Sequence, residues 1–162
     1  MSVTFSVIVP TKGRETLTRT LASVAPQLEN GDELLVMRLD CVWGNEARDL
    51  MMAKATGSHL LFMDDDDVYA PGALAIVRSA VAQAPDRFHV FRMRHGDGVT
   101  WASETFAACN IGTPMACFRN GPTARWADDD SPTSDFEFFR QTLVMVGGEP
   151  IFHEDVIAVV RP

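Results

Sequence analysis

Three short apolar runs, at residues 5–9, 33–39 and 59–63, alternate with three segments whose apolar residues recur at helical spacing. Leu17, Leu21 and Val24 mark the first helical face. Ala47, Leu50 and Met51 mark the second, and Leu74, Val77 and Val81 the third. Strand, helix, strand, helix, strand, helix in so few residues demands right-handed crossovers and a mainly parallel central sheet flanked by helices, an α/β fold. Such sheets bind ligands at the carboxyl ends of their strands. Pro10, Asp40 and Asp64 all fall at those ends, so three strand tips are expected to converge on one crevice.

Punctuation supports the same reading. Pro10 stops the first strand, and Pro26 with Asn30-Gly31-Asp32 ends the first helix. The second helix is expected over 44–55, with Gly57 as its left-handed cap. Pro71 sits where a first-turn proline belongs. Beyond residue 84 the pattern loosens. Residues 88–93, 101–107 and 111–118 read as strands with irregular links, and 120–133 as a polar loop. Phe136, Phe139, Leu143 and Val146 read as a helix ended by Gly147-Gly148, and 151–160 as a last strand. The 162 residues fit one domain, with a regular α/β half at 1–84 that carries the expected crevice and a more irregular half at 85–162.

The net charge of −8 comes without any Lys/Arg stripe, which argues against a nucleic-acid duplex as partner. Cys41, Cys109 and Cys117 form neither a C-x-x-C pair nor an even set, so a disulfide framework or zinc site is not expected and a reducing cytoplasm is. No apolar stretch approaches a transmembrane segment, and the N-terminus lacks a basic leader region.

The strongest local signal is LLFMDDDDVYAP at residues 60–71. Four adjacent carboxylates repel one another, and at the tip of an apolar strand they call for a compensating cation. Hard oxygen ligands of this kind suit Mn²⁺ or Mg²⁺ with positions left open for phosphate oxygens. The competing reading is a solvated acidic turn that complements the dipole of the helix after Pro71. The spacing is not that of an EF-hand loop, and neither a Walker loop nor G-x-G-x-x-G occurs.

Taken together, FSVIVPT at 5–11 with Arg14, GNEAR at 44–48 with Ala53 and Gly57, and LFMDDDD at 61–67 with Pro71 and Leu74 resemble the family-2 glycosyltransferases of the GT-A fold, in order and spacing, from residue 4 to about 82. The later half resembles them through IGTPMACFR at 111–119 and SDFEFFR at 134–140. The resemblance implies transfer of a sugar from a nucleoside-diphosphate donor, UDP-linked, to an acceptor hydroxyl on a glycan, lipid or protein, with inversion. It puts Pro10, Thr11 and Arg14 at the nucleotide, Asp40 at the base edge, and Arg48 in the family's A-R-N segment, where Asp49 replaces Asn. It gives Asp64, Asp66 and Asp67 the D-x-D-D pattern that binds ribose and the bridging metal. Asp65 occupies the variable position and receives no role.

The same resemblance places the catalytic base at Asp135, followed by Arg140, although the family's acidic pair is Ser-Asp here. Asp130 and Glu137 are rival bases, and Ser134 or Asp135 would also serve as a helix N-cap. Some GT-A enzymes recruit a late histidine to the metal, and His153 is the one in position. Asp40 also suits a plain strand end, Arg48 an exposed helix residue, and Trp101 and Trp126 either sugar stacking or packing. Two rivals stand beside the transferase: a sugar nucleotidyltransferase, of which TKGR at 11–14 is a faint echo, and a nucleotide-sugar-binding module without catalysis.

Overall fold

The computed structural model describes residues 2–127 and 131–162. Its elements are β1 (Phe5–Thr11), α1 (Leu17–Val24), β2 (Glu33–Arg38), α2 (Asn45–Met52), β3 (His59–Phe62), β4 (Val68–Tyr69), α3 (Ala73–Gln83), β5 (His89–His95), β6 (Gly98–Thr100), β7 (Ala116–Arg119), α4 (Ser134–Val146) and β8 (Ile151–Val160). One sheet runs in the order β2-β1-β3-β7-β5-β8-β4, with β6 hydrogen-bonded to β5. β1 pairs in parallel with β2 and β3, as the crossovers require, and β5 with β8. Antiparallel pairing enters with the second half, at β3–β7, β5–β7 and β4–β8.

β1 and β3 are buried along their whole length and mostly apolar because both their faces are covered. Ile8, Leu60 and Phe62 point to one layer, where they meet Ala47 and Met51 of α2 and Phe138 and Phe139 of α4. Val7, Val9, Leu61 and Met63 point to the other, against Val24 of α1 and Leu74, Val77 and Val81 of α3. Phe62 sits within an aromatic nest, its ring centroid 5.5 Å from Trp126, 5.8 Å from Phe138 and 6.0 Å from Phe118. Each such buried side chain contributes about 1.5–3 kcal/mol relative to exposure. No described helix is long and apolar enough to cross a membrane.

Several sequence expectations need correction. Pro10 does not end β1; it pairs in register with Met37, because β3 contributes partners only as far as Ile8 and the missing N–H costs no ladder bond there. α2 ends at Met52, so Gly57 is not its cap. Gly57 lies instead where the chain crosses β1, and a β-carbon there would stand 2.5 Å from backbone atoms of Phe5 and Ser6. Leu50, expected inward, is 44% exposed. Pro71 precedes α3 rather than opening it, since Gly72, in the left-handed region, is the N-cap. Residues 101–107 form no strand. Gly147 does end α4, at φ 81°.

Candidate functional site

The carboxyl ends of β1, β2 and β3 border a cleft of about 440 Å³, lined by Pro10, Thr11, Lys12, Arg14, Leu39, Val42, Trp43, Gly44, Asp64, Asp65, Asp66 and Arg161. The acidic run is a tight turn between β3 and β4, closed by the Asp67 amide donating to the Asp64 carbonyl at 3.2 Å, and the turn fans its side chains apart. Asp64 turns toward α2, where it pairs with Arg48. Arg48 is nearly fully buried. Its Nη1 donates to the Trp43 carbonyl at 2.6 Å and to Asn45 Oδ1 at 3.1 Å, and its guanidinium lies 4.5 Å above the Trp126 ring. This arginine is therefore a buried tie between α2 and β3, not a solvent-facing helix residue. Trp126 is packed against Phe138 at 4.2 Å between centroids, which settles its place as core.

Asp65, left without a role by the sequence, is the best-held acid of the run. Its Oδ2 accepts from the Thr11 hydroxyl at 2.6 Å and its Oδ1 from Arg14 Nη1 at 3.1 Å. Thr11 Oγ1 in turn accepts from the Gly13 amide at 2.8 Å, so one hydroxyl fixes both the strand tip and the following loop. Asp66 Oδ2 takes Arg14 Nη1 at 2.8 Å and Arg161 Nε at 3.3 Å. Arg161 arrives there by register: β4 begins directly after the acidic run, and the antiparallel match Val68↔Val159 sets residue 161 opposite the aspartates.

Two expected metal ligands are not brought into the cleft. Asp67 is turned inward, 3% exposed, and its Oδ1 accepts the Arg161 amide at 3.0 Å. Burial, reinforced by the charges of Asp64 and Asp66, pushes its carboxyl up to about 7. His153 lies near the start of β8. It shares a 2.9 Å hydrogen bond with His89 and stacks on Phe91 at 4.5 Å. Arg161, just past the other end of that strand, is eight positions on, roughly 26 Å at strand rise. His89 carries its own proton on Nε2, which donates to the Ala84 carbonyl at 2.9 Å, and burial pushes it down to about 4.

Asp40 stands at the rim, nearly fully exposed, and pairs with Lys12 at 3.0 Å. Asp135, in the first turn of α4, lies close enough to Asp64 and Arg48 to feel their charges and is not among the cleft-lining residues. Burial raises its carboxyl above the ordinary aspartate range, and the neighbouring charge of Asp64 adds to this; the Phe136 amide, donating at 2.7 Å, opposes it. Its rival Glu137 is spent on the surface, where Arg140 and Gln141 hold it down to about 2. Asp130, the other rival, lies outside the described residues.

Trp43 was not singled out in the sequence. It is 57% exposed on the cleft wall and holds φ 51°, next to Gly44 at φ 78°. Gly44 is forced by Pro10, whose ring would meet a β-carbon at 2.8 Å. A lone tryptophan in the six-residue connector from β2 to α2, beside the glycine that precedes the helix, is the signal that could have drawn attention.

The Mn²⁺ or Mg²⁺ expected at this site can be tested against the donor set. Among the described residues no three of His, Cys, Asp and Glu are grouped to hold a metal ion. Asp64 is bound to Arg48, Asp65 to Thr11 and Arg14, Asp66 to two guanidinium groups, and Asp67 faces the interior. A dication on Asp66 would share one carboxylate with two cations, at a cost the low-dielectric cleft would enlarge. The cluster as arranged is an arginine–aspartate network, and a divalent ion does not fit it.

No family model and no curated protein matches the chain. Solved structures do. The crystal structure of S. aureus TarS 1-349 matches with a TM-score of 0.72 at 18% identity, over 99% of this chain and 60% of that one. TarS 1-349 in complex with UDP-GlcNAc gives 0.73 at 17% identity, over 99% and 58%. A197 from STIV gives 0.56 at 18% identity, over 95% and 82%. The likeness at these identities is one of fold, and the chain spans about three fifths of the TarS 1-349 structures.

Proposed function

We propose that this chain is a glycosyltransferase that moves a sugar from a nucleoside diphosphate, UDP in the first instance, to an acceptor hydroxyl. The observation that carries the reading is the cleft itself: three strand tips converge on it, and it offers an exposed indole at one wall and guanidinium groups on the floor acids at the other. An aromatic face suits a base, and paired cations suit a diphosphate. Support comes also from the shared fold with structures of TarS in complex with UDP-GlcNAc and with UDP. Three free cysteines favour a cytoplasmic setting.

In this reading Asp135 is the general base. The acceptor hydroxyl gives its proton to the Asp135 carboxylate while its oxygen attacks the anomeric carbon. The bond from that carbon to the diphosphate breaks, its electron pair leaves on the diphosphate, and the configuration inverts. A base held above the ordinary aspartate range is the stronger proton acceptor, at the expense of activity in mild acid. Expected pH profiles of kcat therefore fall on the acid side above the usual carboxylate range.

The test is a thermal-shift panel of nucleoside diphosphates and their sugars, followed by product analysis. A ligand at one hundred times its Kd should stabilise the chain by about 2.7 kcal/mol. Asp135→Asn should keep that shift and lose about 10²-fold or more in turnover. A shift with UDP-sugars but no transfer or hydrolysis by any form would leave the second reading, a donor-binding module, which the absence of Asp135 from the cleft lining favours.

A further inference from the structure

We propose that Arg14 and Arg161, not a divalent ion, supply the positive charge that holds the donor diphosphate; this rests on the donor reading above. The two guanidinium groups reach Asp66 Oδ2 from separate segments of the chain, at 2.8 and 3.3 Å. Arg14 comes from the loop after β1, and Arg161 from the residue after β8. Each uses little of its hydrogen-bonding capacity. Arg14 makes both its ion pairs through Nη1, and Arg161 pairs through Nε. Among the described residues, Nε and Nη2 of Arg14 and Nη1 and Nη2 of Arg161 have no partner. Both side chains are more than half exposed and both line the cleft.

Asp65 and Asp66 thus work as positioning residues. They fix the guanidinium planes and damp the repulsion between the two cations while the site is empty. The free edges of the two forks match phosphate oxygens, which arginine binds bidentately and with a charge that pH does not remove. Buried Asp67 helps by holding the Arg161 backbone, so the second arginine is aimed by a hydrogen bond that does not involve its side chain.

The experiment is calorimetric titration of UDP, and separately of uridine, into the purified chain in EDTA and again in Mn²⁺. The expected result is a UDP affinity equal within about threefold in the two buffers. Arg14→Ala and Arg161→Ala should each weaken UDP by about tenfold or more and leave uridine unchanged. Arg161→Lys, which keeps the charge and loses the fork, should recover only part of the loss. Trp43→Ala should weaken UDP and uridine together, which marks the base end of the cleft. Melting of the unliganded Arg161→Ala chain should match the parent, since the side chain is exposed and its backbone bond to Asp67 remains. UDP binding that needs Mn²⁺, or UDP binding by Arg161→Ala in EDTA as tight as the parent's, overturns the proposal while leaving the donor reading intact. UDP bound in neither buffer removes both.

Discussion

At the residue scale, Asp67 has a measurable signature. Its folded-state carboxyl, raised to about 7 from an ordinary value near 3.8, binds a proton more tightly than the unfolded chain does. Stability from this group is therefore greatest in acid and declines as pH rises through the interval up to about 7. Asp67→Asn keeps an oxygen for the Arg161 amide and removes the charge. The substitution should raise the melting temperature at pH 8, with an effect on the order of 4 kcal/mol as an upper bound. The gain should shrink toward pH 5; an equal gain at both pH values would show that the carboxyl titrates normally. The acidic run also shows how far single residues were legible. A cluster that repels itself must find cations, and the sequence said so. Which cations could not be read, because Arg14, Arg48 and Arg161 come from three separate segments that only the sheet brings together. Asp65 was passed over because a family pattern calls its position variable, whereas here Thr11 and Arg14 bind it.

Among the elements, β1 and β3 were legible because parallel strands buried on both faces leave a nearly unbroken apolar record; β2, half-buried at the sheet edge, was legible from its LLVM run, and the helices between them keep a 3.6-residue period. Residues 101–107 misled for the same reason inverted: Trp101 and Phe106 pack into the core from irregular chain, and aromatic residues there look like strand. The crossing at Gly57 was misread as a helix cap because sequence reports a glycine but not what lies beside it. Gly57→Ala would drive a methyl group into the backbone of β1 and should cost about 1–3 kcal/mol or more. Urea unfolding would show it as a lower midpoint with unchanged slope. Gly121→Ala, which meets nothing within 4 Å, is the control and should leave the midpoint where it was.

For the whole molecule, the division at residue 84 runs through the sheet. β7 lies between β3 and β5, and β4 takes its partner from β8. A fragment of residues 1–84 would expose Phe62, Leu60 and Leu61 where Phe118 and Cys117 now cover or pair with them. That fragment should show no cooperative melting by circular dichroism, whereas the full chain should unfold in one transition. A sharp melt for the fragment would establish the halves as independent. Interlocking of this kind also explains why a local reading found the three strand tips and missed the cleft's last contributor: Arg161 belongs to the cleft only through a pairing made over ninety residues of chain.

That pairing turns β8 into a measuring rod. It runs between two strands, paired with β5 from Ile151 to Val160, with irregular steps on either side of Arg92, and with β4 at Ala158 and Val159. Side chains alternate along a strand, so adding or deleting one residue after those steps would swing residue 161 to the opposite side of the sheet. A single-codon insertion distant in sequence from the acids would then take Arg161 out of the cleft while leaving every other residue that lines it in place.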